Sequence, residues 1–410
     1  MKSSAMMLKF ALRNLLRQKG RTAMTLAAII IGVMGLILSG GFVEDIFIQL
    51  REATIHSRLG HFQIYRQGYL ENWSKDPGNH LMPDPAEVQS TISEVPGVLD
   101  SMQRVNFFGL VNNGRSDLPV LAEGVEPAKE AAQFGDFFFV VEGRMLLGEE
   151  RHKLLLGEGV ARALKLKPGA LVNVLANMPD GGLNSLEFEV VGIFRTFSKE
   201  FDARAVRMNL VDARELLAVE GAHAIVVSLK DTLATDASAA QARAALAGKG
   251  FEIKTWFELD DFYRNTVDLY ESQFGVLQAV ILIVVLLSVA NSVNMTAQER
   301  VGEFGTLMAL GLRQRDVARL IVLENTLLGL VGASAGVLLG IAVAWGISQT
   351  GIPMPPPPNS NAGYTALIRI VPEVLAVSFL IGLVATVVSA LFAARSAARV
   401  PVVEALRQNI

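Results

Sequence analysis

Several short motifs in this 410-residue chain resemble chemistry, and each can be weighed against its surroundings. Gly332-Ala333-Ser334-Ala335-Gly336 matches the G-x-S-x-G nucleophile elbow, where a strained strand-to-helix turn presents a serine to a histidine and an acid. Here it lies inside a membrane-length apolar run without histidine, so its glycines read as packing positions. Leu38-Ser39-Gly40-Gly41-Phe42 approaches a nucleotide-binding L-S-G-G-Q signature but closes another such run. The only Gly-Lys pair, Gly248-Lys249, is followed by Gly250, so no G-x-x-x-x-G-K-[S/T] phosphate loop occurs. His56, His61, His80, His152 and His223 show no metal-ligand spacing, and zero cysteines exclude thiol chemistry and disulfides. The chain is expected to be no enzyme and to hold neither metal nor cofactor.

The elements that dominate the sequence are apolar. Hydrophobic residues make up 51% and the mean hydropathy is +0.38, too apolar for a soluble protein of this charge content. Thr22–Val43, Val276–Met295, Asn325–Ile347 and Val374–Ala394 contain no Asp, Glu, Lys or Arg. Each is long enough to cross ~30 Å of hydrocarbon as a helix. Lys and Arg cluster before the first span (Lys2, Lys9, Arg13, Arg17, Lys19, Arg21), between the second and third (Arg300, Arg313, Arg315, Arg319) and in the tail (Arg395, Arg399, Arg407). The third-to-fourth connection carries only Arg369, so both termini and the second-to-third connection are expected in the cytosol. Residues 44–271 then lie outside, with 23 Lys+Arg against 34 Asp+Glu. An acidic outer domain over a basic cytosolic face argues against nucleic acid as a partner.

Between the second and third spans lies Glu299-Arg300-Val301-Gly302-Glu303-Phe304-Gly305-Thr306-Leu307-Met308-Ala309-Leu310-Gly311. Phe304, Leu307, Met308 and Gly311 recur at helical spacing, with Glu299, Arg300 and Glu303 on the other side, as in a short amphipathic helix. Alone it could be a mere connector. Glu303, Gly305, Leu307, Ala309 and Gly311 fill an E-x-G-x-L-x-A-x-G pattern, and Pro401-Val402-Val403-Glu404-Ala405-Leu406-Arg407 fills a P-x-E-A-L-R ending. Both resemble the FtsX/MacB/LolC-LolE superfamily of ABC transporter membrane subunits, as does the entry to the first span, Arg13 to Thr22. In that superfamily the first pattern is a coupling helix docked on a cytosolic ATPase. The resemblance thus implies an ATPase-coupling role for Glu299, Arg300, Glu303, Phe304, Gly305, Leu307, Met308, Leu310 and Gly311, with Phe304 and Leu307 as apolar anchors.

The expected fold is an α-helical membrane protein of four spans plus a mixed α/β extracytoplasmic domain. Residues 1–21 read as a cytosolic amphipathic helix, kept as an anchor since no A-x-A cleavage site is evident. Spans follow at 22–43, 272–298, 318–347 and 374–394, with cytosolic segments at 299–317 and 395–410. A proline-rich loop at 348–373, holding Pro353 and Pro355 to Pro358, should be a stiff spacer. In the outer domain two strand-helix-strand units, about residues 61–111 and 224–256, flank a strand-rich insert at about 119–219, a layout similar to the porter-like domain of the superfamily. In the third span Gly332, Gly336 and Gly340 form a stripe for close helix approach, within or between subunits, and Glu324 is an intramembrane acid that should face protein or water.

The resemblance implies a bacterial inner-membrane subunit partnered by a cytosolic ABC ATPase dimer and by a second copy or a paralogue. Four spans without an attached ATPase lie nearest LolC and LolE, implying extraction of a periplasmic lipoprotein or lipid-linked substrate. MacB-like efflux mechanotransmission and FtsX-like control of cell-wall hydrolases are the alternatives within the class. A membrane-anchored receptor independent of any ATPase is the alternative outside it.

Overall fold

The four apolar windows become four long helices in the computed structural model, which describes residue 13 and residues 19–73, 80–134, 137–356 and 363–397. They are Lys19–Thr54, Asp261–Glu299, Gln314–Thr350 and Pro372–Ala397, all long and apolar enough to cross a membrane. The chain divides into a membrane unit, residues 1–48, 267–353 and 365–410, and an α/β unit, residues 49–266 and 354–364. The outer-domain limits expected at 44 and 271 fall inside uninterrupted helix, because no Gly or Pro stops the chain between Glu44 and Thr54. The first-span helix gives way instead to a π-helical turn, Ile55–Leu59, closed by Gly60 at φ 66°. The amphipathic helix expected at 1–21 and the tail motif Pro401 to Arg407 lie almost wholly outside the described residues.

In the membrane unit the glycine stripe meets the first-span helix of its own chain. A Cβ placed on Gly332, Gly336 or Gly340 would stand 3.0 Å from Ile29, 2.8 Å from Val33 and 3.0 Å from Ile37, respectively. Glycine is thus what lets the two backbones approach. Ile29, Val33 and Ile37 share a core with Val285, Val289 and Val293 of the second span and Ala333 of the third. Asp45, fully buried, bonds Arg369 at 2.7 Å and accepts the Leu367 N–H at 2.8 Å. The lone Arg of the third-to-fourth connection is therefore an internal partner.

The α/β unit begins with β1 (Phe62–Arg66), helix Pro85–Ser93 and β2 (Val98–Asn112). The Asp84 side chain caps that helix by accepting the Glu87 N–H. Six further strands follow: β3 (Asp117–Val125), β4 (Phe139–Gly143), β5 (Lys153–Gly157), β6 (Leu171–Asn177), β7 (Leu183–Arg195) and β8 (Ala205–Asn209). The unit ends with β9 (Ala224–Leu229), helix Thr235–Ala245 and β10 (Phe251–Thr255).

Strands pair antiparallel in the order β10-β1-β9-β2, so the two strand-helix-strand units interleave as a split βαβ sheet. Phe62, Ile64, Ile225 and Val227 from the sheet pack on Val88, Ile92, Ala239 and Ala242 from the helices. The 15-residue β2 continues past this sheet: its first half pairs with β9, its second with β3 and β6. From there β3 pairs β8, β8 pairs β5, β5 pairs β7 and β7 pairs β6, which returns to β2. The insert is a closed six-stranded barrel with β4 added outside β7, filled by Phe107, Val111, Leu154, Val174, Phe188 and Met208. Closure leaves the barrel strands without free edges.

Candidate functional site

Between the second and third spans the chain makes one short helix, Val301–Ala309. Its base is fixed by Arg300, whose Nε donates to Glu303 at 3.0 Å and whose Nη1 donates to Glu324 of the third-span helix at 2.6 Å. The Arg300 guanidinium also lies 5.0 Å from the Phe304 ring centre. A buried carboxylate on a span is costly unless paired, and here the partner is Arg300. The helix ends at Gly311, φ 104°, where Gly311 N–H bonds Met308 O and Leu312 N–H bonds Leu307 O. These two bonds make a Schellman cap, so the position demands glycine for its backbone conformation.

The structure divides the expected coupling residues into two sets. Phe304, 1% exposed, packs on Val317, Ile321 and Ala394, with Leu307 and Met308 half-buried against the same cluster. Gly305 and Arg300 are buried too. The anchors that the resemblance implies therefore face their own membrane unit, because the third-span helix lies along the apolar side of the short helix. Glu299, Thr306, Ala309, Leu310 and Gly311 are exposed, Leu310 by 80%, with Glu303 in between.

Two charged clusters of the α/β unit were not legible as units in the sequence. Where β2 leaves the split sheet for the barrel, Arg104 meets Glu130 at 3.1 Å, and Arg207 of β8 meets Glu123 of β3 at 2.9 Å and Glu130 at 3.1 Å. All four side chains are buried, and Arg207 lies 4.7 Å from the Phe138 ring centre. Burial works against ionisation of Glu123, but the Arg104 and Arg207 guanidiniums outweigh it and hold the carboxyl below its ordinary range. An ionisable residue inside an apolar strand, as in Leu121-Ala122-Glu123-Gly124-Val125, was the available signal. The other cluster is His152, Asp212 and Glu215, whose ligand atoms lie within 4.8 Å of one another. Arg151 already bonds both carboxylates, and Asp212 accepts the His152 backbone N–H at 2.8 Å, so the geometry is that of an ion pair.

Four spans, an α/β domain inserted after the first and a short helix pinned to the third define an integral membrane protein of permease type. The MacB-like periplasmic core domain family matches residues 22–245 and the FtsX-like permease C-terminal family residues 275–402, and the chain belongs to this family of ABC transporter permeases. It is 24% identical over 416 residues to an uncharacterized ABC transporter permease of Methanocaldococcus jannaschii, covering 97% of this chain and 96% of that one. It is 24% identical over 417 residues to the macrolide export ATP-binding/permease protein MacB of Hyphomonas neptunium, covering 97% of this chain and 60% of the relative. To the lipoprotein-releasing system transmembrane protein LolC of Xylella fastidiosa it is 22% identical over 247 residues, 58% of each chain. The matches to MacB and LolC thus span about three-fifths of those relatives' length.

Proposed function

We propose that the chain is the membrane subunit of an ABC transporter in the bacterial inner membrane, with both termini cytosolic, driven by a separate cytosolic ATPase dimer. No phosphate loop occurs in these 410 residues, so hydrolysis is assigned to the partner. The observation that carries this reading is the two-sided helix Val301–Ala309. Arg300 and Phe304 fix one side to the third span, while Thr306, Ala309 and Leu310 leave the other bare. A helix fixed at its base and bare at its tip can pass a push from an ATPase to the span that holds it. A dimeric ATPase calls for two copies of this chain or one copy and a paralogue.

For cargo, the LolC match supports extraction of a lipoprotein or lipid-linked substrate. A second reading, mechanotransmission for export, is favoured by the MacB match, which runs over 97% of this chain against 58% for LolC.

The test is ATPase capture and stimulated hydrolysis in nanodiscs. Leu310→Asp should lower both about tenfold or more, as loss of an interface anchor worth ~2 kcal/mol does, with thermal unfolding unchanged. Asp117→Ala, in the α/β unit, is the control. Full ATPase binding and stimulation with Leu310→Asp would remove the coupling role from this helix, and purification with no ATPase under any condition would favour the receptor reading.

A further inference from the structure

Two cavities in the α/β unit, of about 320 and 220 Å³, share the wall residues Arg58, Leu59, Leu121, Arg204 and Leu259. The larger is aromatic on two sides. Trp73 stacks on Phe108 with ring centres 4.5 Å apart, and Tyr65 stacks on Tyr69 at 5.2 Å. Three of its lining residues each carry a buried polar atom that has no hydrogen-bond partner among the described residues: the Tyr69 hydroxyl, Arg104 Nε and Asn106 Oδ1. Tyr69 is 2% exposed, and burial pushes its hydroxyl well above the ordinary tyrosine range, partly offset by the Asn106 amide, which closes no well-formed hydrogen bond to it. Buried donors and acceptors without partners in a folded protein call for an occupant that supplies them.

Arg58 gives that occupant its charge. It sits on the π-helical turn Ile55–Leu59, a kind of turn frequent at functional sites. Its carbonyl is held by Arg104 Nη1 at 2.8 Å, and its guanidinium lies 5.2 Å from the Phe201 ring centre. Among the described residues that guanidinium makes no hydrogen bond or ion pair; it borders both cavities, and its charge helps to hold down the Glu123 carboxyl that lines the larger one. A half-buried guanidinium beside aromatic walls, with its hydrogen-bond donors unused among the described residues, suits a planar anion.

We propose that the larger cavity binds a small amphipathic carboxylate with a flat aromatic body: the carboxylate on Arg58, the ring against the Trp73/Phe108 and Tyr65/Tyr69 faces, with Tyr69 as an added donor. The volume is at the lower end of ligand pockets, which limits the body to about two fused rings. Nothing in this assignment depends on the coupling role of the Val301–Ala309 helix.

The experiment is calorimetric titration of the full chain in nanodiscs with 2-naphthoate and its neutral amide, with empty nanodiscs as the lipid blank. Saturable 1:1 binding is expected, with the acid preferred. Arg58→Gln should weaken the acid about tenfold or more and leave the amide unchanged, as expected for loss of a charge-assisted bond. Arg58→Lys, which keeps the charge but loses the planar fork, should bind the acid less tightly than wild type and more tightly than Arg58→Gln, and Trp73→Ala should weaken both ligands. An unchanged melting temperature for Arg58→Gln separates lost binding from lost structure. No saturable binding, or equal affinity for the acid in wild type and in folded Arg58→Gln, overturns the proposal.

Discussion

Arg300 Nη1 meets Glu324 Oε2 at 2.6 Å, joining the base of the short helix to the third span across 24 positions of sequence. Because both side chains are nine-tenths buried, losing either partner leaves a buried charge. Arg300→Met or Glu324→Met alone should cost about 3–5 kcal/mol, whereas the double substitution should recover much of that loss. Thermal unfolding in detergent measures all three, and additive losses would show that the two residues do not act as a pair.

The glycine stripe offers a local contrast along one helix. Gly336→Val must displace Val33 and Ile30 and should destabilise the chain by about 1–3 kcal/mol. Gly346, with nothing within 4 Å of its would-be Cβ, should accept valine within about 0.5 kcal/mol. Equal melting temperatures for the two variants would mean that the stripe is not a packing seam.

His61 should make the stability of the α/β unit pH-dependent. It is buried, accepts the Leu229 N–H at 3.1 Å and has its imidazole lowered to about 4, chiefly by desolvation and then by His56, against the opposing Glu52 and Asp231. Between about pH 6.5 and 4 the unfolded chain binds a proton that the folded chain refuses. The full contribution is therefore present above about pH 6.5 and is lost as pH falls toward 4, by about 3 kcal/mol over the window. His61→Asn, which keeps an acceptor, should flatten this slope in denaturation at stepped pH; an unaltered slope would assign it to other groups.

Orientation can be read by labelling, since the chain has no cysteine of its own. In sealed cells with a permeable outer envelope, Ser116→Cys should react with a membrane-impermeant maleimide and Leu310→Cys should not. The reverse pattern would invert the topology proposed here.

What was legible in the sequence followed the range of the interactions. The apolar windows announced four helices, and alternation at Leu186, Phe188 and Val190 announced β7, because burial of one side imposes those periods locally. Barrel closure through β2 and β6 was not legible, since it depends on pairings such as Leu110 with Leu175 that no local period encodes. Glu324 stood out as an acid in an apolar run, but its partner had been assigned to an outward role. The periodicity of Phe304, Leu307 and Met308 marks the apolar side of the short helix, which the family resemblance turns toward an ATPase, whereas in the structure Val317, Ile321 and Ala394 cover it, residues too distant in sequence for a local period to reveal.

The interleaved sheet has one further consequence, for how such a domain travels between proteins. The chain enters on β1 and leaves on β10, and Phe62 faces Thr255 as a register partner on adjacent strands. Entry and exit are thus about 5 Å apart, the gap of a tight hairpin. A host helical protein could accept or lose residues 62–255 at that one point without stretching its own connections, so swapping this segment between permeases, with residues 354–364 left in the host, offers a direct route to chimeras.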